Sequence, residues 1–239
     1  WSPETNISVF YDHGTASHFE GLRDLSKQLG KRADEAKRIR AINAKDLIRT
    51  SKTINLLIEI TQESSDIEVV SHEVTHQMAG NTGLFPRSVR TPRWVHEGLA
   101  AYFEAPNDAS WAGIGAVNEQ RLKWYRALAE DRTRSSLDFI VGDKIFDLSG
   151  GVHSNVLHAY GQAWALTHFL VEQHFEELME YYRRLGEYPP NTPISHDALN
   201  ALFDDVFVEE REQLENDWRD YMRSLKTDTD LIIEKEEGN

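Results

Sequence analysis

The segment VVSHEVTHQMAG, residues 69–80, has two histidines four positions apart and a glutamate directly after the first. In an α-helix, residues i and i+4 lie on one face, so the imidazoles of His72 and His76 can converge on one metal ion. The side chain of Glu73 points about 100° away from that of His72 around the helix axis. This offset suits a residue that reaches a metal-bound water rather than the ion, which is the general-base role in HExxH hydrolases. The string also fits a solvated helix face, so a metal site needs a third ligand.

The residues around this segment predict a helix over 65–80. Ser65 followed three residues later by Glu68 forms a capping-box pattern, and Gly80 stands where a helix C-cap is expected. A loop rich in Gly, Pro and Arg follows over 80–93. A second helix is predicted over 94–105, ended by Pro106.

The second helix supplies a third ligand in Glu97, which shares a helix face with Ala100, Ala101 and Glu104. Small alanines permit close approach to a neighbouring helix, and buried carboxylates cost several kcal/mol unless they are paired or metal-bound. Glu97 as a ligand and Glu104 as an acceptor for a ligand imidazole would satisfy both carboxylates. The alternative makes both residues surface acids. His96 is a competing third ligand, but adjacent helical residues diverge by about 100°, so only one of them can face the ion.

The rest of the chain predicts a mainly helical α+β domain with a small sheet. Alternating apolar residues indicate a strand over 6–14, residues 16–49 indicate one or two helices broken near Gly30, and 54–60 fits either a strand or a helix. Later helices are predicted at 116–131, 156–175, 175–186, 195–203 and 207–225. We expect one domain over 1–225 and an acidic, frayed tail over 226–239.

Composition limits the partners and the ligands. With 40 acidic and 26 basic residues the net charge is -14, which argues against nucleic acids and membrane surfaces as main partners. The chain has no cysteine, so a metal must bind histidines and carboxylates. No apolar run approaches the roughly 20 residues of a membrane span, so no membrane insertion is expected. Because the chain begins at Trp1, we expect a trimmed or mature fragment, for which a secreted or periplasmic location is open. The oligomeric state is also left open.

Four segments carry a family resemblance: SHEVTHQMAGNTGL, PRWVHEGLAAYFE, GIGAVNEQRL and AYGQAWALTHFL. The first two resemble the gluzincin metallopeptidases, and all four together resemble a bacterial family of peptidase MA-like domains, over roughly residues 66–175. The resemblance implies a gluzincin-like domain built around an HExxH helix. It also implies one Zn²⁺ per chain, with His72, His76 and Glu97 as ligands and Glu73 as the catalytic base.

Tyr160, in AYGQAW, best matches the tyrosine that stabilises the oxyanion in the gluzincin aminopeptidases. The alternative is a core aromatic, since Leu157, Trp164 and Phe169 lie near the same helix face. Those aminopeptidases also carry a GAMEN-like strand before HExxH. Nothing similar precedes His72, and GAVNE at 115–119 follows the ligands. Exopeptidase activity is therefore unsupported.

The sequence thus predicts a zinc-dependent peptide hydrolase of endopeptidase type that acts on a peptide or protein substrate. One rival is a domain that retains zinc but binds a peptide or protein partner without turnover. Intact Glu73 speaks against this rival, because loss of the base is the simplest way to disarm such a site. A second rival is a structural helical module in which HExxH occurs by chance.

Overall fold

A computed structural model describes residues 2, 5–8, 17–40, 42–104, 116–148, 153–227, 230, 233 and 234. The chain divides into two compact units. The larger unit comprises Trp1–Ser8, Ser71–Pro106 and Trp111–Asn239, and the smaller unit comprises Val9–Val70 and Asn107–Ser110. The division leaves the single domain over 1–225 a prediction, since one domain can contain two compact units. Most of the predicted tail, 226–239, lies outside the described residues.

The described elements are all helices, with the following bounds: α1 Ser17–Arg38, α2 Ala44–Thr82, α3 Arg93–Tyr102, α4 Glu119–Leu128, α5 Leu137–Val141, α6 Lys144–Asp147, α7 His153–Gln173, α8 Phe175–Leu185, α9 His196–Val206 and α10 Arg211–Ser224. Among the described residues no helix combines the length and apolar character needed to cross a bilayer.

The predicted small sheet is wrong: the described part of the chain contains no strand, only an isolated bridge between Ser2 and Ile7. The predicted mainly helical character is confirmed. Residues 9–14 of the strand expected over 6–14 lie outside the described residues. The other alternating segment, 54–60, belongs to α2 and is helical. Residues at every second position point in opposite directions on a helix, and accordingly Ile58 is buried whereas Leu56 and Ile60 are about half exposed.

Helix α2 is longer than its capping signals predicted. Ser65 does not begin a helix, because its hydroxyl donates to the Thr61 carbonyl at 3.0 Å, one turn earlier in the same helix. The helix ends at Thr82, and Gly83 follows with a φ of 80°, the left-handed conformation that commonly ends helices. The predicted break near Gly30 is also displaced, because α1 runs through Gly30 and ends at Arg38.

In the smaller unit, α1 runs antiparallel to the first half of α2. Ser26 hydrogen-bonds Asn55, and a Cβ at Gly30 would be in ordinary van der Waals contact with the Ser51 hydroxyl, at 3.7 Å. Ala33 is buried on the same helix. The two helices therefore meet through small residues and form a helical hairpin.

In the larger unit, α7 is the central element and contacts α3, α4, α6, α8 and α10. Residues 161–170 of α7 are all buried, as expected for a helix surrounded by others. Two glycines bring its neighbours close: a Cβ at Gly98 of α3 would lie 2.7 Å from the Ala163 carbonyl oxygen, and one at Gly161 would lie 2.8 Å from the backbone nitrogen of Tyr125 in α4. Residues beside these glycines are thereby held near α7.

Helix α10 also packs against α7. The Trp218 indole is fully buried and donates to the Ala165 carbonyl at 3.1 Å. The adjacent Arg219 is also buried, and its guanidinium donates to the Ser135 carbonyl at 2.8 Å and to Glu215 at 2.7 Å. A buried guanidinium stabilises the fold only when its N–H groups stay aligned with their acceptors. This hydrogen-bond network therefore fixes the position of α10.

Candidate metal centre

Helices α2 and α3 bring together the two histidines of HExxH and Glu97. His72 Nε2 lies 3.1 Å from His76 Nε2 and 3.1 Å from Glu97 Oε2, and His76 Nε2 lies 3.6 Å from Glu97 Oε2. The three side chains are mostly buried. One ligand atom from each residue therefore points to a common centre, and this group could hold a metal ion.

The spacing of these atoms fits zinc. With Zn–N bonds of about 2.0 to 2.1 Å, two ligands of a tetrahedral site lie about 3.3 to 3.4 Å apart. The observed separations, 3.1, 3.1 and 3.6 Å, bracket this value. Two imidazoles and one carboxylate are also a ligand set that catalytic zinc uses, with a position left for water or substrate. The residues present thus match the size and donor chemistry of Zn²⁺.

Glu104 orients the His72 ring. Its Oε1 accepts from His72 Nδ1 at 3.0 Å, and the side chain is almost fully buried. A hydrogen bond of this kind leaves Nε2 as the nitrogen available to a metal. Arg121 donates to both Glu104 oxygens, at 2.6 and 3.0 Å, and Asn118 donates to Oε2 at 2.8 Å. Four donors thus hold this carboxylate in place.

The charges at the centre favour a bound cation. Burial alone would lower the pKa of His72, but hydrogen bonds to Glu104 and Glu97 outweigh it and raise the pKa to about 9. Burial would raise the pKa of Glu97, but hydrogen bonds from His72 and His76 hold it well below its ordinary value. Two carboxylates thus stabilise a positive charge between the imidazoles, and a metal ion would take the place of the proton.

Tyr160 of α7 lies at the same centre. Its ring centroid is 6.1 Å from that of His72, and the charge of Glu97 acts on its hydroxyl. The Arg121 guanidinium covers the ring at 5.0 Å, and Phe146 contacts it edge-on. Burial, together with the charge of Glu97, raises the pKa of the phenol above its usual range. The hydroxyl therefore keeps its proton and is available as a donor.

The remaining predicted residues differ in position. Glu73 is half-buried on the turn of α2 that carries His72, and it is not among the converging ligand atoms. His96 does not join them either, because its Nε2 pairs with the Thr91 hydroxyl and its ring packs against Phe85 at 4.6 Å. Burial and the nearby His76 lower the pKa of His96 to about 4, so it stays neutral.

Three residues at the centre or beside it were missed by sequence reasoning. Asn118 and Arg121 had a usable signal, since both lie in the segment GIGAVNEQRL and Asn118 caps α4 by accepting from the Arg121 backbone N–H. Asp143 had none. Its two oxygens accept from the backbone N–H groups of Arg93 and Trp94, each at 2.9 Å, and so cap α3, which begins after the non-capping Pro92.

Comparison with known proteins gives a family. Residues 66–192 match the sequence model of the family described as "Protein of unknown function (DUF1570)". This match covers more than half of the chain, so the chain belongs to the DUF1570 family. The matched range contains all the residues gathered at the centre, from His72 to Tyr160. No curated protein and no solved structure matches the chain.

Proposed function

We propose that this chain is a zinc-dependent peptide hydrolase of gluzincin type, with one Zn²⁺ per chain held by His72, His76 and Glu97. The observation that carries the proposal is the convergence of three ligand atoms at 3.1 to 3.6 Å. The hydrogen bond from His72 to Glu104 adds support, because metal-binding histidines usually donate their other ring nitrogen to such a partner. The resemblance of HEVTHQ and WVHEGLAAYFE to gluzincin motifs supports the same reaction class.

In the proposed reaction, water attacks the peptide carbonyl carbon, and the bond from that carbon to the amide nitrogen breaks. Zn²⁺, when bound, supplies Lewis acidity that favours ionisation of water and polarises a carbonyl group. Glu73 accepts a proton from the attacking water and delivers it to the departing amine. Tyr160 donates a hydrogen bond to the carbonyl oxygen as negative charge develops there.

Glu104 and Arg121 contribute by holding His72 in one orientation. The guanidinium grips both oxygens of Glu104, so the carboxylate cannot rotate away from His72 Nδ1. Loss of such a partner typically lowers metal affinity about 10- to 100-fold. This chain of contacts also keeps Arg121 over the Tyr160 ring, which links the proposed donor to the ligand shell.

The proposal is tested by zinc content and by turnover of a mixed peptide library, read by mass spectrometry. The wild type is expected to hold close to one Zn²⁺ and to cleave library peptides. Glu73→Gln should keep the zinc and lose activity by about 10² or more, because only the base is removed. Glu59→Gln is the matched control, since it makes the same change at an exposed position of the same helix.

Each outcome separates the proposal from a rival. A chain that holds zinc but cleaves no library peptide would favour a domain that binds a peptide or protein partner without turnover. A chain that binds no zinc would leave only the structural helical module. Equal activity in the wild type and Glu73→Gln would show that another group activates water and would refute the role of Glu73.

A further inference from the structure

The turn of the helical hairpin in the smaller unit concentrates positive charge on an acidic chain. Residues 37–52, which we call the basic tip, contain six basic residues and one acidic residue, Asp46: the basic residues are Lys37, Arg38, Arg40, Lys45, Arg49 and Lys52. None of the six forms an ion pair with any residue that the structure describes. Among the described residues the basic tip thus carries an excess of positive charge that an anionic partner would complement.

The same turn exposes the two most open isoleucines of the basic tip. Ile39 is 73% exposed and Ile42 is 104% exposed. Large apolar side chains that are exposed to water at a turn contribute no hydrophobic stabilisation. The cations beside them would be stabilised by an anionic partner. The combination of apolar tips and flanking Lys or Arg is typical of surfaces that enter the headgroup layer of a membrane.

The first turns of α2 continue this character along one face. Lys45, Arg49 and Lys52 follow one another at helical spacing, and together with Ile48 and Leu56 they line an open groove of about 400 Å³. Cations and apolar groups thus lie side by side on one face of α2. A partner that fits this face must offer negative charge and apolar surface side by side.

We propose that the basic tip docks on an anionic lipid surface, with Ile39 and Ile42 entering the headgroup layer and the six cations lying against lipid phosphates. A lipid surface is favoured over an anionic polymer because a polymer would leave the isoleucines in water. The overall charge of -14 does not prevent docking, since charges more than about 8 Å away are largely screened at physiological salt. The proposal is independent of the zinc site.

Sedimentation of the full chain with lipid vesicles tests this inference. Binding is expected to phosphatidylcholine vesicles that contain about 30 mol% phosphatidylglycerol and not to pure phosphatidylcholine, with loss at about 0.5 M salt. Each cation contributes about five-fold in partitioning, so the triple variant Lys45→Gln/Arg49→Gln/Lys52→Gln should bind about 100-fold more weakly. Ile42→Ser should lower partitioning roughly ten-fold.

Matched control variants in the larger unit make the test specific. Val208 is 92% exposed and Lys123 is also exposed, so Val208→Ser and Lys123→Gln repeat the two kinds of change elsewhere. Both should bind anionic vesicles like the wild type. All variants should keep the wild-type circular dichroism spectrum and zinc content. Equal binding to neutral vesicles, equal loss in the controls, or wild-type binding by Ile42→Ser would overturn the proposal.

Discussion

Gly98→Ala tests whether the contact between α3 and α7 holds Glu97 in place. An added Cβ would lie 2.2 Å from the Thr167 hydroxyl and 2.7 Å from the Ala163 carbonyl oxygen. The hydroxyl can rotate, but the carbonyl belongs to the backbone of α7. Since ordinary contact begins near 3.4 Å, the helices would have to separate by about 0.7 Å in a densely packed interior.

The expected cost follows from these distances. Overpacking of a filled core costs about 1 to 3 kcal/mol, and a clash with backbone belongs in the upper part of that range. Alanine gains about 1 kcal/mol over glycine as a helix former. A net loss of about 1 to 2 kcal/mol therefore remains, which lowers the Tm of a unit of this size by roughly 2 to 8 °C. Zinc affinity should fall too, because Glu97 is the preceding residue.

Tryptophan fluorescence is a suitable assay, because the four tryptophans that the structure describes, Trp94, Trp124, Trp164 and Trp218, all belong to the larger unit. Thermal melting by fluorescence should therefore report Gly98→Ala directly. Gly21→Ala is the matched control, since a Cβ at Gly21 has nothing within 4 Å and the residue lies in the smaller unit. Its fluorescence melt should equal that of the wild type. An unchanged or raised Tm for Gly98→Ala would refute the close contact between the helices.

Three further predictions concern the centre and its support. Tyr160→Phe should lower kcat by about 10² to 10³ without changing zinc content or Tm, because only the donor is lost; full activity with a lower Tm would make Tyr160 a core aromatic. Glu97→Ala should release zinc and His96→Ala should retain it, and the reverse result would exchange their roles. Burial raises the pKa of Asp143 from 3.8 to about 6. The folded chain thus gains a proton first as pH falls, so wild-type stability relative to Asp143→Asn should increase between pH 6 and 3.8. Parallel unfolding curves would contradict this.

Helical periodicity was sufficient to anticipate the core of the centre. The four-residue spacing of His72 and His76 indicated one face of a helix. The seven-residue spacing of Glu97 and Glu104, about two helical turns, indicated one face of another. The structure brings all four side chains together. Such local spacing is visible in a sequence because the members of each pair are close along the chain: both histidines lie on α2, and Glu104 follows the end of α3, the helix of Glu97, by two residues.

Contacts between distant segments were not visible in the sequence. Asp143 caps a helix that begins 50 residues earlier, and no local pattern signals such a partner. The length of α2 was missed because the capping box at Ser65 is a local preference that continuous helix on both sides overrides. The sheet was predicted from alternation alone, which does not reveal whether a partner strand exists.

The order of the site residues along the chain has a consequence for synthesis. All three proposed ligands lie on α2 and α3, which leave the ribosome before α4 and α7 exist. A nascent chain could therefore take up metal early, whereas Arg121 arrives with α4 and Tyr160 with α7, which packs against α3 at Gly98. If the chain acts as the proposed hydrolase, its site stays incomplete while its own unfolded segments are most exposed.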